Sequence, residues 1–339
     1  MGDPRGIGPE IIVKALADAD LRRQARFVIY GLNHILTLEA DELGVDPYWY
    51  RIDRESTRLD RPVTEHVVVR DDARFEGLLS APRKATQQGG QASKTFVEDA
   101  IADAVRPAEH PRHVDAIVTG PISKHAWNLA GFKWPGHTEL LQHRTRSKRC
   151  VMAFTSPRLR VALATHHEPI NALRDVLTIG RVFDPIDLGH HALKDLGIEE
   201  PRIAVTGLNP HAGESGQFGD EETRLIEPAM EMARRLGIEV EGPFPADTIF
   251  IDAARGRYDL VVAMYHDQGL IPVKLLARDE AVNWTLGLPI IRTSPDHGTA
   301  YDIAGKGQAN EGSMRAAIDL AVQLAARQAA TQTTSAATR

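Results

Sequence analysis

Short apolar runs alternate with stretches of helical period along almost the whole chain. Arg26–Tyr30, His66–Val69, Ala116–Thr119, Val151–Thr155, Val161–Thr165, Ile203–Thr206, Leu260–Met264 and Pro289–Arg292 predict strands. Strands and helices in this alternation predict a parallel α/β architecture. Between two of the runs, Glu221–Leu236 places Leu225, Ala229, Met232 and Leu236 on one apolar helix face, expected in the core. The tail 328–339 is made of small and polar residues and is expected to be disordered. The other end opens Met1-Gly2-Asp3-Pro4-Arg5-Gly6-Ile7-Gly8-Pro9-Glu10, a glycine-rich loop feeding a helix that Pro9 and Glu10 start well.

Composition narrows the classes. A chain of 339 residues, 42% hydrophobic, can bury a sizeable core, expected to be split over two domains. The net charge of −6 with dispersed basic residues argues against a nucleic-acid partner. Cys150, the single cysteine, can form no internal disulfide and reads as a small buried hydrophobe. With no leader pattern and no apolar run near the roughly 18 residues a membrane helix needs, the expectation is a soluble cytoplasmic protein without a membrane partner.

Polar chemistry gathers where the strands end. Leu260–Met264 runs into Tyr265-His266-Asp267-Gln268, Val161–Thr165 into His166-His167, and Ile203–Leu208 into Asn209-Pro210-His211-Ala212-Gly213-Glu214. Ligands of open parallel sheets bind outside the carboxyl ends of the strands, so three strands ending on histidine converge on one crevice. Imidazole is the commonest protein ligand of zinc-like metals, and three ligands with open positions is the catalytic pattern. His211, His266 and one of His166 and His167 are therefore candidate metal ligands. Alternation sends His166 and His167 to opposite faces and does not choose between them. Asp267 could orient a ligand histidine or touch substrate, and Asp247 is a further loop acid that could equally cap a helix or turn. Lys274, Asn283 and Arg292 suit an anionic substrate, and His137 and Thr138 open a helix whose amino terminus can hold an anion. The late glycine-rich run Asp296-His297-Gly298-Thr299-Ala300 through Gly307 has weak nucleotide-binding potential and is no G-x-G-x-x-G fingerprint.

Taken together, these segments resemble the 4-hydroxythreonine-4-phosphate dehydrogenase family of pyridoxal phosphate biosynthesis. The motifs that carry the resemblance are Gly2–Glu10, Thr119-Gly120-Pro121-Ile122-Ser123-Lys124, Pro135-Gly136-His137-Thr138-Glu139, Leu208–Glu214, Pro245-Ala246-Asp247-Thr248, Tyr265–Gly269 and Thr285 through Ala300, in order over residues 1–325. The resemblance implies an isocitrate/isopropylmalate dehydrogenase-like fold of two α/β/α domains with an active-site cleft between them. Residues 1–125 with 290–327 would form the first domain and 126–289 the second. It further implies a homodimer with its active site near the interface, NAD or NADP, and one divalent metal such as zinc, magnesium or cobalt.

Matched position by position, His167, His211 and His266 fall on the family's metal ligands. His137, Thr138, Lys274, Asn283 and Arg292 fall on its substrate positions, and Asp296, Gly298 and Thr299 on its adenosine-binding loop. Asp247, Asp267 and Lys274 are its candidate proton-transfer residues. The implied reaction oxidises 4-phosphooxy-L-threonine to 2-amino-3-oxo-4-(phosphooxy)butanoate, which decarboxylates to 3-amino-2-oxopropyl phosphate. The alternative is oxidation of 4-phospho-D-threonate or 4-phospho-D-erythronate in sugar-acid catabolism. The family's first strand precedes the Gly-Asp-Pro loop, where this chain has only Met1, so a late start with an exposed sheet edge is the expectation.

Overall fold

The structure, a computed structural model, describes residues 1–61 and 63–337. In chain order the strands are β1 (Phe27–Gly31), β2 (Tyr50–Asp53), β3 (Val67–Asp71), β4 (Ala116–Val118), β5 (Val151–Thr155), β6 (Arg160–Leu163), β7 (Ile203–Thr206), β8 (Val240–Phe244), β9 (Leu260–Ala263), β10 (Val282–Leu286) and β11 (Ile291–Pro295). The α-helices are α1 (Gly8–Ala17), α2 (Ala19–Gln24), α3 (Asn33–Leu43), α4 (Gln87–Ala104), α5 (Lys124–Leu129), α6 (His137–Thr145), α7 (Leu173–Val176), α8 (Ile179–Asp195), α9 (Glu227–Arg235), α10 (Ala246–Ala254), α11 (His266–Ala277) and α12 (Gly312–Ala337).

The chain divides into two compact units, Met1–Arg146 with Pro289–Ala325, and Ser147–Leu288 with Ala326–Arg339. In the first, β1, β3 and β2 form a parallel sheet in that order, and β4 pairs in parallel with β11. Helices α4 and α5 meet closely because Gly90 has no side chain, and a Cβ there would overlap the Ala126 carbonyl. Trp127 fills the space beside them, fully buried, with its indole N–H donated to Ser93 Oγ at 3.0 Å. The segment 126–146, expected with the second domain, belongs to this unit.

The second unit holds six strands in the order β10-β5-β6-β9-β7-β8. β6, β9, β7 and β8 run parallel, whereas β5 pairs antiparallel with both β6 and β10. Its core packs Phe154, Leu163, Val261 and Ala263 against Leu270 and Val273 of α11. Burying side chains of this size contributes about 2 kcal/mol each.

The predicted strands all form, with shifts of one to three residues at several ends. β2, β8 and β10 were not expected. Gly242-Pro243 interrupts β8, which tolerates proline as the last strand in the order, and Asn283 breaks the apolar run of β10. The expected helix face over 221–236 is rotated. Leu225 and Ala229 are buried as expected, but a π-helical turn over Glu222–Ile226 precedes α9, and burial continues on Ile226, Met230 and Ala233. Met232 and Leu236, expected in the core, are 45% and 66% exposed. The inserted residue of a π turn advances the face, which a regular period does not foresee.

The tail also departs from expectation. Residues 328–337 continue α12 through Ala337 instead of forming a disordered end, because alanine- and glutamine-rich sequence propagates readily from a helix already nucleated. Residues 338 and 339 lie outside the described residues. Among the described residues no helix is long and apolar enough to cross a membrane.

Candidate active site

Strand order decides where the histidines of the second unit stand. β9 lies between β6 and β7 and is parallel to both, with Leu163 opposite Ala263 and Val205 opposite Val262. Their carboxyl ends are therefore side by side, and each chain leaves its strand toward a histidine. Polar side chains lace these ends together. Thr165 Oγ1 donates to the Met264 carbonyl at 2.7 Å, and Gln268 Nε2 donates to the Gly207 carbonyl at 2.8 Å. Gln268 Oε1 accepts from the Met264 amide at 2.6 Å and from Thr206 Oγ1 at 2.8 Å.

The imidazoles of His167 and His266 face one another at 6.0 Å between ring centres, with His166 5.1 Å from His167. His266 is the first residue of α11, and its Nδ1 lies 2.8 Å from Asp267 Oδ1. A proton held on Nδ1 by that carboxylate leaves Nε2 as the lone-pair donor, the usual orientation of a metal-ligating histidine. Asp267 thus braces His266.

His211 stands on an unusual piece of backbone. His211, Ala212, Gly213, Glu214 and Ser215 all have left-handed φ, between 43° and 81°. For each of the four non-glycine residues this conformation costs about 1 kcal/mol or more. Such strain persists only where the surroundings over-determine it. Here the surroundings include the Glu222 carboxylate, which accepts from the Leu208 and Asn209 amides, each at 2.8 Å, and from Asn209 Nδ2 at 3.0 Å. The three histidines are not drawn tight, since among the described residues the ligand atoms of His167, His211 and His266 do not all fall within 4.8 Å of one another. As a donor set, three imidazoles on three adjacent strand ends fit a zinc-like divalent cation.

Asn283 of β10 carries a buried side-chain oxygen with no partner among the described residues, an acceptor ready for an N–H or O–H donor. Lys274 is exposed on α11, and Asp247 is exposed in the first turn of α10, where its charge favours the helix amino terminus.

The first unit brings His137, Thr138 and Arg292 into one environment. His137 and Thr138 open α6, and the His137 ring lies 5.4 Å from that of Trp127. Burial first, then the neighbouring Arg292 guanidinium, hold His137 well below the usual imidazole range, so it is neutral at pH 7. The Met1 amino group donates to the Tyr30 carbonyl at 3.1 Å, and burial lowers it to about 5. Arg292 is buried on β11 and donates from Nη2 to Thr119 Oγ1 at 2.8 Å.

Asp296, Gly298 and Thr299 follow β11 directly. The Asp296 amide is tied to Ser313 Oγ at 3.0 Å, and the Thr299 carbonyl accepts the Ile7 amide at 2.9 Å. This loop is therefore joined to the opening glycine-rich loop, as is Tyr301, whose hydroxyl donates to Asp3 Oδ2 at 2.7 Å.

Comparison with known proteins identifies the lineage. Residues 23–321 match the family described as pyridoxal phosphate biosynthetic protein PdxA. The chain belongs to the PdxA family. It is 45% identical over 328 residues to a 4-hydroxythreonine-4-phosphate dehydrogenase of Geobacter metallireducens, covering 96% of this chain and 94% of that one. It is equally 45% identical, over 325 residues, to a D-threonate 4-phosphate dehydrogenase of Salmonella typhimurium, covering 96% of this chain and 97% of the relative. Among solved structures, that of 4-hydroxythreonine-4-phosphate dehydrogenase from Klebsiella pneumoniae superposes with a TM-score of 0.82 at 41% identity, covering 96% of each chain. The mixed α/β fold described above is that of this PdxA-family structure.

Within the PdxA-family chain, the braces escaped sequence reasoning more than the candidate ligands did. Gln268 was visible only as part of a polar strand end, and nothing in its spacing announces that it joins two neighbouring strands. Glu222 sits in what reads as an amphipathic helix, and only the fold shows that its carboxylate turns back to the His211 loop.

Proposed function

We propose that the chain is a divalent-metal- and NAD(P)-dependent dehydrogenase. It oxidises the C3 hydroxyl of 4-phosphooxy-L-threonine to 2-amino-3-oxo-4-(phosphooxy)butanoate, which decarboxylates to 3-amino-2-oxopropyl phosphate. The observation that carries this reading is that His167, His266 and His211 follow the carboxyl ends of three adjacent parallel strands, in a chain related over nearly its full length to such dehydrogenases.

In this proposal His167, His211 and His266 hold one zinc, magnesium or cobalt ion. Bound there, a divalent ion would act as a Lewis acid toward the hydroxyl and the ketone that replaces it. Asp267 keeps the His266 ring turned so that Nε2 is the donor. The Asn283 acceptor takes a hydrogen bond from the substrate ammonium. Lys274, Arg292 and Thr138 hold its anionic ends, with His137 kept neutral as a hydrogen-bonding partner rather than a second cation. Asp247 is the group assigned to accept the hydroxyl proton, since Lys274, holding an anionic end as an ammonium, has no lone pair to take it. Asp296, Gly298 and Thr299 receive the adenosine part of NAD or NADP, whose nicotinamide takes the hydride.

Loss of carbon dioxide then follows from the product's own chemistry. A ketone β to a carboxylate accepts the electron pair of the breaking bond as an enol, which is protonated on carbon. The proposal includes a cytoplasmic homodimer. α11 carries Ile271 and Leu275 at 59% and 81% exposure on the same helix as Asp267 and Lys274, an apolar surface that a second copy would cover.

The 45% relative from Salmonella typhimurium makes a phosphorylated sugar acid the competing substrate. NAD(P)H formation should be followed with 4-phosphooxy-L-threonine, 4-phospho-D-threonate and 4-phospho-D-erythronate, before and after chelation. Metal-dependent turnover of the amino acid phosphate supports the proposal. Preference for either sugar acid replaces the substrate while keeping the chemistry, and silence on all three from folded protein sinks the dehydrogenase reading.

A further inference from the structure

The His211 turn has the features of a held, strained element, and what holds its root is chiefly the Glu222 carboxylate. Glu222 is 4% exposed, and both its oxygens are spent on the turn's entry, Oε1 on the Leu208 and Asn209 amides and Oε2 on Asn209 Nδ2. Two glycines make room for it. A Cβ on Gly213 would come to 2.7 Å from Glu222 Oε2, and one on Gly207 to 3.1 Å from Oε1. Glu221 takes a second bond from Asn209 Nδ2, at 2.7 Å. The carboxylate itself lies in the π-helical turn, a local irregularity often found where a side chain must be aimed.

We infer that Glu222 is a positioning residue for His211, fixing the left-handed turn so that the imidazole is presented for metal binding. The inference rests on the metal reading given above. Glu222 touches neither metal nor substrate, and acts through the backbone of residues 208–213. A buried carboxylate accepting three N–H donors is satisfied in this geometry. Glutamine in its place keeps the volume but supplies one acceptor oxygen, and its amide N–H groups would oppose the Asn209 side-chain donor.

The test is cobalt(II) titration of metal-free full-length protein, reading affinity and the visible spectrum of the bound ion, beside NAD⁺ binding to the same samples. Wild type should bind cobalt, and Glu222→Gln should bind it at least about 10-fold more weakly, with an altered spectrum at saturation and unchanged NAD⁺ affinity. A merely structural role would lower thermal stability, or both affinities together, and would leave the saturated cobalt spectrum unchanged. That outcome overturns the inference, as does unchanged cobalt affinity in folded Glu222→Gln. If that variant does not fold, Glu222→Asp decides, because it keeps a buried carboxylate but withdraws its oxygens from the Leu208 and Asn209 amides. Weakened cobalt binding supports the inference and wild-type affinity overturns it. Wild-type protein that binds no cobalt refutes the metal reading first, a failure visible before any variant is compared.

Discussion

Two loops of this chain carry candidate chemistry, and they are held in opposite ways. The opening loop, Gly2–Glu10, is buried throughout and braced by residues far away in sequence. The Asp3 amide donates to the Pro121 carbonyl at 2.8 Å, Ile7 to Thr299, and the Ala309 amide to Glu10 Oε1 at 2.8 Å. Gly120 permits a close approach, since a Cβ there would overlap the Met1 carbonyl. The second loop, Asn209–Gly219, is largely exposed, runs through left-handed backbone, and is pinned by Glu222 only a few residues on. The first loop's shape is a property of its whole unit, whereas the second stores strain under local control. Substitutions should therefore damage stability in the first and function in the second.

The contrast can be pressed hardest at His211. His211→Ala should lower kcat about a thousandfold, some 4 kcal/mol of lost transition-state stabilisation, while the thermal midpoint barely moves. A stability loss of comparable size would erase the distinction. Gly120→Ala should do the reverse, costing about 2–3 kcal/mol in urea unfolding because two backbones must separate to admit the methyl. Cobalt affinity of the folded fraction should be unchanged. Tyr301→Phe should cost about 1–2 kcal/mol by stripping a hydrogen bond from the buried Asp3 carboxylate, again read by urea unfolding.

A gentler probe is pH. His137 is depressed in the folded protein, so below about pH 6.5 the unfolded chain takes up a proton that the folded one refuses. Stability from this group is complete above that pH and is lost as pH falls. The urea midpoint should decline on acidification, and His137→Gln should flatten the decline. An equal slope in the variant would remove His137 as its cause. The smallest effect is Ser215→Gly, at φ 56°, which should stabilise by up to about 1 kcal/mol, because glycine relieves the strain that serine bears. Destabilisation there would mean the turn is not strained.

The alternation of apolar runs and helical stretches made the expected strands legible, because a buried parallel strand is a short continuous apolar run. β8 and β10 were illegible for the same reason, since Gly242-Pro243 and Asn283 break their runs and only neighbouring strands restore them. The histidines could be read as a group because each follows a strand, and the sheet does place those strands together. Sequence spacing could not show that Gln268 spans two strand ends, that Glu222 reaches back to Leu208 and Asn209, or that five residues turn left-handed in succession. These depend on where a side chain finds its partner once the chain has folded.

The bonds of the opening loop set an order of events during synthesis. β4 pairs with β11, Ile7 with Thr299 and Glu10 with Ala309, and Lys14 Nζ donates to the Ala309 carbonyl at 2.6 Å. The opening loop thus finds these partners only after the chain through Ala309 has been made. Throughout that wait β4 lacks β11, and the Ser147–Leu288 stretch is translated ahead of the strand that completes Met1–Arg146. The earlier segment is then the last to close, and the period of greatest exposure to chaperones and proteases falls on the unit whose larger part is made before the other.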